Sequence, residues 1–292
     1  MIKKINQVTI VGLGMMGASL ALALKKGQLA EKIVGVDVDA AVVQKACAQG
    51  ITDVATLCLA EGIKDADLVV LSTPVGKIVE LIKALADLNY QGFVTDLGST
   101  KKAVCDEAEK YAKLNFVGSH PMAGSEMAGI PGAKDCLFEN APVIITATPR
   151  TPVEAVEFVT LLWKQLKARL LFMEPEDHDF SVSIISHLPH VVSITTMNTA
   201  CSLAGEKEEV FSIMAGGFRD TTRIAGADPY MWRDIFLTNR IAVLQGISEF
   251  RAQLDQLEQA IFNMDSPQLT EILTQAQSRR RRLVPAKGNT DF

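Results

Sequence analysis

The sequence predicts a doubly wound, parallel α/β sheet followed by an all-helical C-terminal domain. Three observations carry that prediction. Short Val/Ile/Leu-rich runs alternate with helical stretches as far as Phe172, the rhythm of βαβ units. A glycine-rich turn, Gly12-Leu13-Gly14-Met15-Met16-Gly17, sits at the first strand-to-helix junction. From about Pro175 no strand pattern returns and helical periodicity takes over. The 292 residues suffice for two domains, set at residues 1–173 and 174–292.

In order, strands are expected at Val8–Val11, Ile33–Val36, Leu68–Leu71, Phe93–Thr95, Phe116–Gly118, Val143–Thr146 and Arg169–Phe172. Helices are expected at Ala18–Lys26, Ala40–Gln49, Lys77–Ala86 and Lys101–Ala112. The uncharged run from Val8 to Leu24, flanked by Lys3-Lys4 and Lys25-Lys26, shares its outline with a signal peptide or short membrane span. Its three glycines and its β-rich start favour strand, turn and helix instead. No other run approaches the ~20 apolar residues of a membrane helix. In the second domain Ile241, Leu244, Ile247, Phe250, Leu254, Leu257 and Ile261 follow one another by three or four and share one helix face. That face exceeds the needs of a small helical domain, so a homodimer is expected. The run Arg279–Arg282 reads as a solvated helix end at the negative pole of the macrodipole.

Composition removes several function classes. A net charge of −5 argues against a general nucleic-acid binder, which needs surplus Lys and Arg. Cys47, Cys58, Cys105, Cys136 and Cys201 are scattered and never spaced C-x-x-C. That usage fits a reducing cytoplasm rather than a disulfide framework or a zinc knuckle.

The glycine turn has a specific physical reading. Gly12 permits the tight turn, Gly14 lets backbone approach a pyrophosphate, and Gly17 lets helix and strand pack closely. The helix N-terminus then offers N–H groups to the anion. Asp37, twenty positions after Gly17, ends the second predicted strand. Its carboxylate would accept hydrogen bonds from the adenosine ribose and repel a 2′-phosphate, so NAD is favoured over NADP. These features make the sheet Rossmann-type. The candidate cofactor residues are Gly12, Leu13, Gly14, Met15, Met16, Gly17 and Asp37, with Thr73 and Pro74 at the end of the third predicted strand.

Further chemistry lies at later strand ends. Asp96-Leu97-Gly98-Ser99-Thr100-Lys101 follows the fourth predicted strand, where ligands of open α/β sheets bind; Ser99 or Thr100 could equally cap a helix. His120 ends the fifth, within Gly118-Ser119-His120-Pro121-Met122-Ala123-Gly124-Ser125-Glu126. An imidazole there is placed for proton transfer, with an acid limb expected near the ordinary value of about 6.5. The remaining histidines are His178, His187 and His190. A metal reading is disfavoured: nine residues put His178 half a turn out of phase with His187 on a regular helix, and Pro189 disturbs the next pair. Gly216-Gly217-Phe218-Arg219-Asp220-Thr221-Thr222-Arg223 reads as a ligand-facing loop or as an interhelical turn with surface ion pairs. In the first reading Arg223 forks onto a carboxylate.

Taken together these motifs, with Ser186-His187-Leu188-Pro189-His190 and Met231-Trp232, resemble the prephenate/arogenate dehydrogenase family of tyrosine biosynthesis across nearly the whole chain. The resemblance implies hydride transfer from C4 of prephenate to NAD with loss of the ring carboxylate as CO2, giving 4-hydroxyphenylpyruvate. It casts His120 as acceptor of the hydrogen bond from the 4-hydroxyl and Ser99 as the serine that orients it. Arg223 would grip a substrate carboxylate, and His187, His190 and Trp232 would line the pocket near Gly124. Glu126 and Asp220 would control access through ionic contacts. It also implies dimerisation through the helical domain. Neither a regulatory ACT domain after Leu283 nor chorismate mutase helices before Val8 are expected, which leaves inhibition by tyrosine to the active site itself. The alternatives are an arogenate dehydrogenase, a β-hydroxyacid dehydrogenase or a non-enzymatic NAD sensor. The second lacks its G-x-x-x-K lysine here, and the third would need neither His120 nor Arg223.

Overall fold

The structure is a computed structural model that describes residues 4–124, 127 and 129–283. The chain divides into two compact units, Met1–Val243 and Leu244–Phe292.

The first unit opens with β1 (Ile5–Val11), α1 (Met15–Lys26), β2 (Ala30–Val36), α2 (Ala40–Ala48), β3 (Val54–Thr56), α3 (Leu59–Gly62), β4 (Leu68–Leu71), α4 (Val75–Asp87), β5 (Phe93–Asp96) and α5 (Lys102–Ala108). It continues with β6 (Asn115–Pro121), β7 (Pro142–Thr146), α6 (Val153–Gln165) and β8 (Arg169–Phe172). The strands form one sheet in the order β3-β2-β1-β4-β5-β6-β7-β8. β1 and β4 are buried along almost their whole length, as central strands covered by helices on both faces must be. Their register aligns Val8 with both Ile33 and Leu68. Between β1 and β4 the order of winding reverses, and such a switch point opens a crevice at the carboxyl ends of the strands. One core cluster includes Val8, Ile10, Leu20, Leu24 and Trp163; a second includes Val69, Leu71, Ile82 and Val94. The run Val8 to Leu24 is therefore strand, turn and core helix.

Two features of the sheet differ from the sequence expectation. β3 is an extra strand of three residues with Val54 exposed, too short to leave a periodic signal. The strands counted fourth and fifth from sequence are thus β5 and β6. The other difference is that β7 runs antiparallel to β6, with His120 opposite Ile144, while all other pairs are parallel. Among its described residues the connection between them carries only a 3-10 turn, Ile130–Gly132, and a parallel return normally needs a crossover helix.

Helices follow: α7 (Pro175–Val182), a π turn (Ser183–His187), α8 (Leu188–Ala204), a 3-10 turn (Glu208–Ile213), α9 (Gly216–Thr222), a 3-10 turn (Arg223–Gly226) and α10 (Pro229–Thr238). These helices belong to the same compact unit as the sheet. Lys101 N–H donates to Asp179 (2.7 Å), the hydroxyls of Thr100 and Thr238 are 2.9 Å apart, and α10 packs on α4. Strands thus end near the expected 173/174 division, while compactness divides the chain at 243/244. The continuous run Pro175–Ala204 is long and apolar enough to cross a membrane by length and composition, contrary to the expectation that no second such run exists. Its charged residues gather at the start, Glu176 to Asp179, and the rest of the run carries only neutral polar residues and histidines, so an apolar window remains.

α11 (Arg240–Phe262) and α12 (Ser266–Leu283) complete the described chain. Asp265 starts α12 by accepting the N–H of Gln268 (3.0 Å). On α11 the predicted apolar face is largely open: Leu244, Leu254 and Ile261 are each at least half exposed.

Candidate active site

The crevice at β1 and β4 is built first by backbone. Gly12 has φ +94°, and a Cβ there would meet the Ser72 carbonyl 2.5 Å away, so only glycine fits. A Cβ on Gly14 would meet nothing within 4 Å, because this residue borders open space. The first hydrogen bond of the α1 ladder runs from Ala18 N–H to Gly14 (2.9 Å), so the N–H groups of Met15, Met16 and Gly17 precede the ladder. Leu13 contributes its backbone: its side chain is fully buried, and its N–H donates to Asp37 Oδ2 (2.8 Å). Asp37 therefore ties the glycine turn to the end of β2 and keeps lone pairs for a ligand. Across the crevice the hydroxyls of Ser72 and Thr73 are buried without a hydrogen-bond partner, and Pro74 starts α4. Buried hydroxyls of this kind call for a ligand. The residues present thus fit a dinucleotide.

The second part of the site lies at the same end of the sheet. Buried Lys101 and Asp96 form an ion pair, and Asp96 also accepts the N–H groups of Gly98 (2.9 Å) and Ser119 (3.1 Å). Such satisfaction is what makes a buried pair tolerable. It fixes the end of β5 against β6 one residue before His120. His120 is 8% exposed, and its Nδ1 lies 2.8 Å from Nε2 of His178. That contact goes to His178 rather than to Ser99, which is half-buried in the β5–α5 connection. His178 Nδ1 is 2.7 Å from Asp179 Oδ1, and Asp179 accepts the N–H groups of Lys101 (2.7 Å) and Lys102 (3.0 Å). Asn239, at the end of α10, donates to the Asp179 carbonyl (2.7 Å) and lies 3.2 Å from His187 Nδ1. His187 meets Trp232 edge-on, and His190 stacks on the same indole at 3.3 Å between centroids. Trp232 Nε1 and His190 Nδ1 are buried without a partner.

Burial drives all four imidazoles toward the neutral form. It pushes His120 well below the ordinary value, helped by the charges of His178, Lys101 and His187. It also lowers His178, against the opposing pull of Asp179. His187 and His190 are each pushed down to about 4, again by burial first. The acid limb expected near the ordinary histidine value therefore moves lower.

His120, His187, His190 and Trp232 are thus brought together. Arg223 is exposed at the start of a 3-10 turn that packs on α8, and Asp220 is exposed on α9. Gly124 is exposed beyond β6, and Glu126 lies outside the described residues. Sequence reasoning missed His178, Asp179 and Asn239 as parts of this cluster. The phase argument that set His178 aside assumed a regular helix. The π turn, with its i→i+5 bonding, adds a residue to one turn just before Pro189, whose missing N–H breaks the α ladder anyway. Pro189 and the His178-Asp179 dipeptide were the available signals.

A nucleotide crevice and a neutral, buried imidazole at one end of one sheet define the class: a nucleotide-dependent oxidoreductase. Comparison with known proteins narrows it. Residues 20–172 match the family model for the prephenate dehydrogenase nucleotide-binding domain, and residues 174–275 match the prephenate dehydrogenase dimerization domain. The chain belongs to the prephenate dehydrogenase family. It is 35% identical over 279 residues to prephenate dehydrogenase of Bacillus subtilis, covering 94% of this chain and 75% of that protein. It is 32% identical to a cyclohexadienyl dehydrogenase of Zymomonas mobilis, covering 94% and 95%. Among solved structures, prephenate dehydrogenase from A. aeolicus in complex with hydroxyphenyl propionate and NAD+ superposes with TM-score 0.91 at 34% identity, covering 96% and 99%. Synechocystis arogenate dehydrogenase gives 0.78 at 32%, covering 95% and 100%.

Proposed function

We propose that this chain oxidises prephenate with NAD, releasing 4-hydroxyphenylpyruvate, CO2 and NADH. The observation that carries the reading is His120, held neutral by burial at the carboxyl end of β6 on the crevice side of the sheet. NAD is held by the N–H groups at the start of α1, by Asp37 at its ribose and by the hydroxyls of Ser72 and Thr73. When bound, NAD takes up the hydride that leaves C4. As C4 becomes electron-poor its hydroxyl becomes acidic, and neutral His120 accepts the hydrogen bond that an imidazolium could not. Ser99 assists in placing the hydroxyl. Asn239 must turn its NH2 toward the Asp179 carbonyl, which only accepts; His187 Nδ1 therefore accepts too, and His187 presents Nε2–H as a donor. Arg223 forks onto a substrate carboxylate, Trp232 and His190 wall the pocket, and Gly124 and Asp220 border its entrance.

Arogenate, with an ammonium in place of the side-chain keto group, is the second reading. The name of the Synechocystis relative favours it, and that of the Zymomonas mobilis relative fits either substrate. Measuring NADH formation with each substrate separates them: a higher kcat/KM for prephenate is expected, and the reverse ranking would reassign the enzyme. The chain acts as a homodimer through its helical part, supported by the open apolar faces there and by the matched dimerization domain. Its five free cysteines, four of them exposed, suit a reducing cytoplasm.

A further inference from the structure

We infer that His178 and Asp179 are positioning residues that dictate which nitrogen of His120 carries the proton, and so make its Nε2 the acceptor. The inference rests on the reading of His120 as the partner of the substrate hydroxyl. It follows from donors and acceptors taken in order, starting at the one group whose role is unambiguous.

Backbone N–H groups only donate. Lys101 N–H points at Asp179 Oδ1 and Lys102 N–H at Oδ2, so both carboxylate oxygens serve as acceptors. His178 Nδ1, 2.7 Å from Oδ1, is therefore the donor in that contact. A neutral imidazole that donates through Nδ1 has its lone pair on Nε2. That lone pair faces His120 Nδ1 at 2.8 Å, so His120 Nδ1 must donate. The lone pair of His120 is then left on Nε2. Each step is forced by the one before, and the backbone at the start of α5 anchors the series. A cationic His178 would reverse the last two steps, because both its nitrogens would donate. Full burial in the company of Lys101 opposes that form.

The titratable and charged groups around the histidine pair come from every neighbouring element: Asp96 on β5, Lys101 before α5, Asp179 on α7 and His187 on the π turn. The outcome is a pair of pocket histidines with opposite polarity. His187, backed by Asn239, offers an N–H; His120, backed by His178, offers a lone pair. Orienting a catalytic imidazole through a buried carboxylate is a known physical device, and imposing the wrong tautomer costs up to about 10⁴ in kcat. Here a second histidine is interposed between carboxylate and base.

The direct test is long-range ¹H–¹⁵N NMR on the full chain labelled with [¹⁵N]histidine. Only four histidines contribute, and His120→Asn and His178→Phe assign the two resonances. Near neutral pH, both His120 and His178 should show a protonated Nδ1 and an unprotonated Nε2. Finding His120 with its proton on Nε2 in the unsubstituted chain would overturn the inference. His178→Phe removes the acceptor and should release His120 from that tautomer, with kcat falling at least ten-fold and the affinity for NAD unchanged. His178→Gln can still present an amide oxygen to Nδ1–H; it should hold the tautomer and recover most of kcat. An equal loss in both variants, with the His120 tautomer unmoved, would reduce His178 to a packing residue. The tautomers are read without substrate. A chain that shows them but leaves prephenate unreacted would therefore sink the assigned reaction and leave this inference standing.

Discussion

The central strand β4 and the helical run Pro175–Ala204, both in the first compact unit, bury different kinds of side chain. All four residues of β4 are apolar and buried, as a strand covered on both faces requires. Along the helical run the buried residues include His178, Asp179, Ser183, His187 and Ser193. Phe180, Ile184, Ile185 and Leu203 face outward, Ile185 at 65% and Leu203 at 84% exposure. Most of the buried side chains here are polar, and several large apolar ones are left outside. The sheet is complete in a single chain. The helical run places its histidines inside and leaves Phe180, Ile184, Ile185 and Leu203 outside, and large exposed apolar patches mark interaction surfaces.

The comparison can be sharpened most strongly at His120. His120→Asn is expected to lower kcat by about 10²–10⁴ while leaving NAD binding intact, because the crevice is built by other residues. Stopped-flow turnover with a parallel NADH titration checks it, and near-normal kcat would make the imidazole structural. The next effect contrasts the two regions directly. Leu71→Ala, in the sheet core, should cost about 2–5 kcal/mol and lower Tm. Ile185→Asp, on the outer face, should leave the protomer folded and shift sedimentation toward monomer. A dimer that survives Ile185→Asp would locate the interface elsewhere.

Arg223→Ala is expected to raise the substrate KM about ten-fold or more, from the roughly 1.5–3 kcal/mol of a charge-assisted contact, with the KM for NAD unmoved. A change confined to NAD would place this arginine on the cofactor. The smallest effect per group is that of pH on stability. Each histidine is less basic in the folded chain than when unfolded. Between the two pKa values the unfolded chain binds more protons, so stability rises with pH there. The contribution is whole above the unfolded value of about 6.5 and is lost as pH falls from there toward about 4, the value for His187 and His190. Tm should decline over that interval, and the decline should be shallower in His190→Gln. The same depression keeps His120 neutral, so kcat/KM should hold to lower pH than an ordinary histidine allows.

What was legible in the sequence was local. The glycine turn, Asp37, the strand ends at Asp96 and His120 and the periodic face of α11 each announce themselves within a few residues. β3 was not legible because three half-exposed residues make no pattern. The direction of β7 was hidden because it goes with the lack of a crossover helix among the described residues between Pro121 and Pro142. Asn239 was invisible because its importance comes from touching two residues more than fifty positions away. His178 was misjudged because helical phase was counted at a constant step.

That last point bears on how the chain tolerates changes of length. Successive residues of a regular α-helix turn by about 100°. His178 and His187 would therefore face opposite ways on a regular helix, yet Asn239 touches both His187 and the backbone next to His178. The wide turn at Ser183–His187 takes up the difference. The interval between these two histidines works as a ruler with one non-standard division. Loss or gain of a single residue within it would leave every functional side chain in the sequence and still rotate one histidine out of the shared cluster. Substitutions on the outer face of the same segment, Ile184 or Ile185, carry no such penalty within the protomer. Length, more than identity, is what this stretch of chain has to keep.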